Sequence, residues 1–202
     1  MPNNDSQFRT ITRACALLSV LLGLIVLSGW LFDIAVLKSI LPGHINMKPN
    51  TAIGLVCGGL ALVCLVRSDS PKKLRYPAAL LSLTTLMIGL FTLAEYLLHR
   101  DLKVDQLLFV DRAELVYPGR IAYITAINFC VTGVALLLLT RGRRALKVAQ
   151  LLASFVGLSG LLAIVGYLYG VPVLYGSSRF ASMGLHTGLG FLALSISILT
   201  SR

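Results

Sequence analysis

The chain has 202 residues, of which 56% are hydrophobic and only 13% charged. Its mean hydropathy is +0.84. One domain of this size cannot hide so much apolar surface from water, so composition excludes a soluble globular enzyme, a disordered regulator and a disulfide-stapled module. It marks an integral membrane protein. The net charge of +10 does not point to nucleic acid, because the basic residues sit in short clusters between long apolar runs. That placement is a topology signal.

Six uncharged runs are each about as long as a bilayer-crossing helix requires. In chain order they are Ala14 to Phe32, Pro49 to Val66, Tyr76 to Ala94, Ile121 to Thr140, a run from Lys147 onward, and Phe180 to Ser201. The fifth stays uncharged as far as Arg179, longer than a crossing needs, and Gly170-Val171-Pro172 is expected to end it near Gly170. The first run is too long for a signal-peptide core and has no small-x-small cleavage site before Asp33. It is expected to remain as a helix. The expectation is an all-α membrane protein with six transmembrane helices. A cytoplasmic segment, 1–13, precedes one domain spanning 14–202.

Six crossings put both termini on one side. The terminal and even-to-odd segments hold 11 Lys and Arg, and the opposite segments hold 7. The more basic side stays in the cytoplasm, which predicts a multi-pass protein of the cell inner membrane with both termini inside. Cys15, Cys57, Cys64 and Cys130 all fall within the apolar runs, as small packing residues.

A threefold internal repeat organises these runs. Met47 to Leu55, Ile121 to Phe129 and Met183 to Phe191 open the even helices, each with Thr at the fifth place: Thr51, Thr125 and Thr187. Eight residues after each Thr stands Gly59, Gly133 or Ser195. Each odd helix ends on an aromatic residue, Trp30, Tyr96 or Tyr167. The repeats cover about 14–68, 76–141 and 148–201. They predict three helical hairpins with pseudo-threefold symmetry about the membrane normal, and a polar collar of the three Thr residues near the outer surface. Small-xxx-small spacing recurs at Gly54 and Gly58, Gly166 and Gly170, and Gly184 and Gly188. The Thr and Gly positions therefore serve close helix packing or line a ligand site.

Titratable side chains at membrane depth are costly and need an explanation. Glu95 precedes the aromatic position of the second repeat, and His186 precedes Thr187. With Asn50 and Asn128 they are candidates for a hydrogen-bonded cluster. Glu95 has a second reading, as partner to Arg120. A ligand-binding cavity is expected to be lined by His186, Thr187, Thr51, Asn50 and Thr125, with Glu95 beside it. Tyr96 and Tyr167 are expected as its walls and the loop 99–120 as its cover. Protonation of His186 is a candidate signal, since imidazole titrates near neutral pH. His44, His99 and His186 are the residues that could ligate a haem, but no spacing sets two of them face to face. No cofactor or metal is expected, and no catalytic motif occurs.

The chain resembles the N-terminal six-helix integral membrane sensor regions (MASE-like) of bacterial sensor histidine kinases and GGDEF signalling proteins. Three stretches carry the likeness: Met47-Lys48-Pro49-Asn50-Thr51-Ala52; Glu95-Tyr96-Leu97 with Asp105 to Phe109 and Pro118-Gly119-Arg120; and Met183 to Thr187. The second repeat departs from the pattern, with Ile121, Tyr123 and Ile124 in place of Met, Pro and Asn, and the third has Gly188 in place of Ala. The resemblance implies a sensor module of a two-component or cyclic-di-GMP system that relays a ligand or membrane-state signal to a cytoplasmic output domain. It is expected to sit in the lipid bilayer as a homodimer, to take a small-molecule ligand from the outer side, and to bind no nucleic acid. The alternatives are a small transporter or channel, for which repeats are common, and a haem-binding electron-transfer protein.

Overall fold

The computed structural model describes residues 4–39, 45–66, 72–100, 103–106, 108–109, 118–142, 145–175 and 182–201. Among the described residues there are seven α-helices and no strand: α1 (Asn4–Leu31), α2 (Ala35–Lys38), α3 (Pro49–Leu65), α4 (Lys72–Leu98), α5 (Tyr123–Thr140), α6 (Leu146–Tyr169) and α7 (Leu185–Thr200). Four of them, α1, α4, α5 and α6, are long and apolar enough to cross a membrane. The other two long apolar helices, α3 and α7, have 17 and 16 residues. At about 1.5 Å per residue they rise some 24–26 Å, a little less than a hydrocarbon core of about 30 Å.

The helix ends correct the run boundaries. α1 begins ten residues before Ala14, so Arg9 and Arg13 ride on the helix. α4 extends past the apolar run at both ends, which places Lys73 and Arg75 in its first turns and Glu95 in its last. Charged residues end an apolar run without ending a helix, because long basic side chains reach out to polar surroundings. The sixth run forms helix only from Leu185, since residues 182–184 are not helical and Gly184 is extended; Phe180 and Arg179 lie outside the described residues. α6 ends where Gly170 takes a left-handed conformation, φ 63°, that a Cβ would disfavour.

The packing is a ring around a core of three. α3, α5 and α7 touch one another. α1 packs in the groove between α3 and α7, α4 between α3 and α5, and α6 between α5 and α7. The inner helices supply the buried Thr51, Leu55, Thr125, Phe129, Thr187, Phe191 and Leu194. The rings of Phe129 and Phe191 meet between the inner helices α5 and α7 with centroids 4.8 Å apart. The outer helices turn large apolar side chains outward along their length, such as Leu17, Leu21 and Leu24 on α1, Leu80, Leu90 and Phe91 on α4, and Leu151, Leu158 and Leu161 on α6. Such a surface suits lipid and not water.

One contact recurs at three of the outer–inner junctions, α1 with α3, α4 with α5 and α6 with α7. Gly23, Gly89 and Gly160 each stand seven residues before the terminal aromatic of their helix. A Cβ on Gly23 would come 2.6 Å from the Ala52 carbonyl oxygen, on Gly89 2.5 Å from that of Ala126, and on Gly160 2.7 Å from that of Gly188. Each of these acceptor residues directly follows a repeat Thr. The absence of a side chain is what lets backbone meet backbone there.

Candidate functional site

The site lies where the first turns of α3, α5 and α7 come together. Their N-cap residues Lys48, Ala122 and Gly184 are all extended, with φ/ψ of −75°/152°, −60°/146° and −66°/154°. The first intrahelical bond is the same in each: Ala52 N–H to the Lys48 carbonyl, Ala126 to Ala122, and Gly188 to Gly184. None of these three N-cap residues caps its helix with a side-chain hydrogen bond. The repeat Thr residues therefore all occupy the third helical position. Pro49 at the first position of α3 fits the turn, where its missing N–H costs nothing.

The end of each outer helix is fastened to the same place. Trp30 Nε1 donates to the Met47 carbonyl at 2.9 Å, Tyr96 OH to that of Ile121 at 3.0 Å, and Tyr167 OH to that of Met183 at 3.0 Å. All three acceptors lie four residues before a repeat Thr. An aromatic ring that buries its body and keeps one polar handle suits this position.

These turns enclose an open cavity of about 30 Å³, room for roughly two water-sized groups. Its lining includes all three repeat threonines and all three N-cap residues, together with Asn46, Tyr96, Arg120 and Ser182. Thr51, Thr125 and Thr187 are only 2–3% exposed. Their hydroxyls make no hydrogen bond among the described residues, although a Thr at a helix start often bonds back to a carbonyl.

The expected site set divides at this point. Thr51, Thr125, Thr187 and Tyr96 line the cavity; His186, Asn50, Glu95 and Tyr167 do not. Asn50 Nδ2 donates to Asp105 Oδ1 at 3.4 Å. Tyr167 stacks on Tyr175, with centroids 4.1 Å apart and rings 10° from parallel. His186 is buried one position before Thr187. The expected cluster of Asn50, Asn128, Glu95 and His186 does not form, because Asn128 lies deeper in the bundle and donates to Ser159 Oγ at 2.8 Å.

Glu95 instead takes its second reading. Arg120 Nε lies 3.3 Å from Glu95 Oε2 and 3.3 Å from Asp105 Oδ2. The three side chains are at most 5% exposed. The guanidinium also stands over the Tyr96 ring, 5.4 Å from its centroid, and Nη2 donates to the Arg100 carbonyl at 3.4 Å. Arg120 thus ties the described part of the 99–120 loop to α4 while facing the cavity. Gly119, at φ 77°, packs on the Asp105 carbonyl, and Phe109 lies against Trp30 with centroids 6.2 Å apart. Asp105 is named in the sequence only within a stretch that carries the family likeness; its place in a loop without periodicity gave no sign that it would pair with Arg120. Residues 101, 102, 107 and 110–117 lie outside the described residues, as does His44.

Among the described residues no group of His, Cys, Asp and Glu is arranged to hold a metal ion. No protein-family model, curated protein or solved structure matches the chain.

Proposed function

We propose that the chain is a membrane-embedded signal-input module with six crossings, built as three hairpins about a pseudo-threefold axis. In this reading both termini lie in the cytoplasm of a cell with an inner membrane, and the cavity opens to the outer side. Ligand occupancy shifts the packing of the inner helices, and α7 carries the shift to a cytoplasmic output such as a histidine kinase, which works as a dimer. The observation that supports this most is one cavity to which every repeat contributes the same two positions, its N-cap and its Thr. A ligand there touches all three inner helices at once, so it can favour one packing over another. Differential contact of this kind is what a population shift requires.

The bonds at the far end of α7 support its part in this reading. Ser197 Oγ donates to the Thr12 carbonyl at 2.9 Å, Thr12 and Thr200 share a hydroxyl hydrogen bond of 2.9 Å, and Gln150 Nε2 donates to the Leu199 carbonyl at 3.0 Å. These bonds tie the end of α7 to α1 and α6 across the bundle from the cavity. The test is a fusion of residues 1–202 to a kinase or cyclase reporter. Thr51→Val with Thr187→Val keeps side-chain shape and removes two hydroxyls, and is expected to change reporter output at unchanged membrane level. Output identical to the parent under every growth condition tried overturns the reading.

A further inference from the structure

We infer that the cavity between the three helix starts is a binding site for a small monovalent anion, a halide or a compact oxyanion such as nitrate. The inference names the ligand class of the site proposed above and rests on that reading for its signalling consequence only. A helix N-terminus carries about half a positive charge on its unsatisfied N–H groups. Three uncapped starts meet at this cavity, which together amounts to roughly +1.5. Like ends brought together repel, and an anion between them removes that cost.

The side chains point the same way. The charged residues lining the cavity are Lys48 and Arg120, and no carboxylate lines it among the described residues. Glu95 and Asp105 stand behind Arg120 and offset the two cations in formal charge. The helix ends are left as the uncompensated positive charge, and a single negative charge offsets most of it without overshooting. The three repeat threonines add a second, independent observation. Each is at most 3% exposed and lines the cavity, and each hydroxyl can donate one hydrogen bond. Three donors around a space of about 30 Å³ suit a compact acceptor and leave no room in the enclosed part for a nucleotide or an amino acid.

The experiment uses the purified 202-residue chain in lipid nanodiscs. Its thermal unfolding midpoint is measured in sodium gluconate, chloride, bromide and nitrate at constant ionic strength. A ligand that binds only the folded state raises the midpoint in a saturable way. Chloride, bromide or nitrate is expected to do so while gluconate, too bulky for the cavity, does not. Thr51→Val with Thr187→Val is expected to weaken the apparent affinity at least tenfold. Lys48→Gln serves as the second variant should the double variant fail to fold, and is expected to weaken affinity as well. Equal midpoints in all four salts overturn the inference, and so does a saturable rise that persists unchanged in the variants. An anion-dependent midpoint with an anion-independent reporter output supports the anion site and overturns its signalling role. A reporter that responds without any anion-dependent midpoint does the reverse.

Discussion

Arg120 faces two buried carboxylates, and the arithmetic of that arrangement decides which substitution is worst. Removing the guanidinium strands two charges away from water, and breaking a buried pair costs about 3–5 kcal/mol. Arg120→Leu is therefore expected to lower the thermal midpoint in detergent more than Glu95→Gln, which leaves Asp105 as the partner. A milder effect of Arg120→Leu sinks this account. Deeper in the bundle, Asn128 donates to Ser159 while its buried Oδ1 has no partner among the described residues. Ser159→Ala takes away the remaining acceptor and should cost about 1–3 kcal/mol. Adding Asn128→Leu removes the stranded amide and should recover most of that loss, a coupling that a double-mutant cycle measures. The threonines were legible at this scale because one residue type recurs at one spacing. His186 and Asn50 drew attention as the polar neighbours of those threonines. Successive helical residues are about 100° apart, so the position before an inward-facing Thr points away from the cavity.

At the scale of the element, the unit is an outer helix pinned to an inner one at two levels. The aromatic donor fixes the end, and the glycine seven residues earlier sets the approach. Ala in place of Gly ordinarily stabilises a helix interior by about 1 kcal/mol. At Gly89 the new Cβ would lie 2.5 Å from the Ala126 carbonyl oxygen and 2.7 Å from Cys130 Sγ. Overpacking of this kind costs about 1–3 kcal/mol, and the obstacle is backbone, which yields little. Gly89→Ala is expected to lower the midpoint. Gly58→Ala is expected to do so far less, since its Cβ would meet flexible side chains, Leu194 at 3.3 Å and Leu136 at 3.7 Å, and no backbone. The aromatic positions were visible in the sequence as helix terminators. Their glycine partners were not, because small-xxx-small spacing selects other pairs among the 18 glycines of the chain. Gly54, one of those pairs' members, packs instead on the Phe129 ring of a neighbouring inner helix.

The number of crossings belongs to the whole molecule, and length alone does not decide it. Counting only α1, α4, α5 and α6 gives four crossings; adding the shorter α3 and α7 gives six. The contacts along α1 and α3 favour six. Trp30 holds the start of α3 at Met47, Gly23 meets Ala52, and Gly59 would place a Cβ 2.7 Å from the Ala16 carbonyl oxygen. From Trp30 down to Ala16, α3 therefore runs antiparallel beside α1 and shares its depth. α7 is matched to α6 in the same way, from Tyr167 with Met183 down to Ala153, whose carbonyl accepts from Ser195 Oγ at 2.7 Å. The two counts make opposite predictions at three places. With the N-terminus inside, six crossings put reporters fused after Arg67 and Arg141 in the cytoplasm and one after Asp111 outside. Four crossings put Arg67 and Arg141 outside and Asp111 inside. Both agree on a cytoplasmic Arg202, which serves as the control. A reporter that reads external after Arg67 removes α3 from the set of crossings and, with it, the three-hairpin architecture.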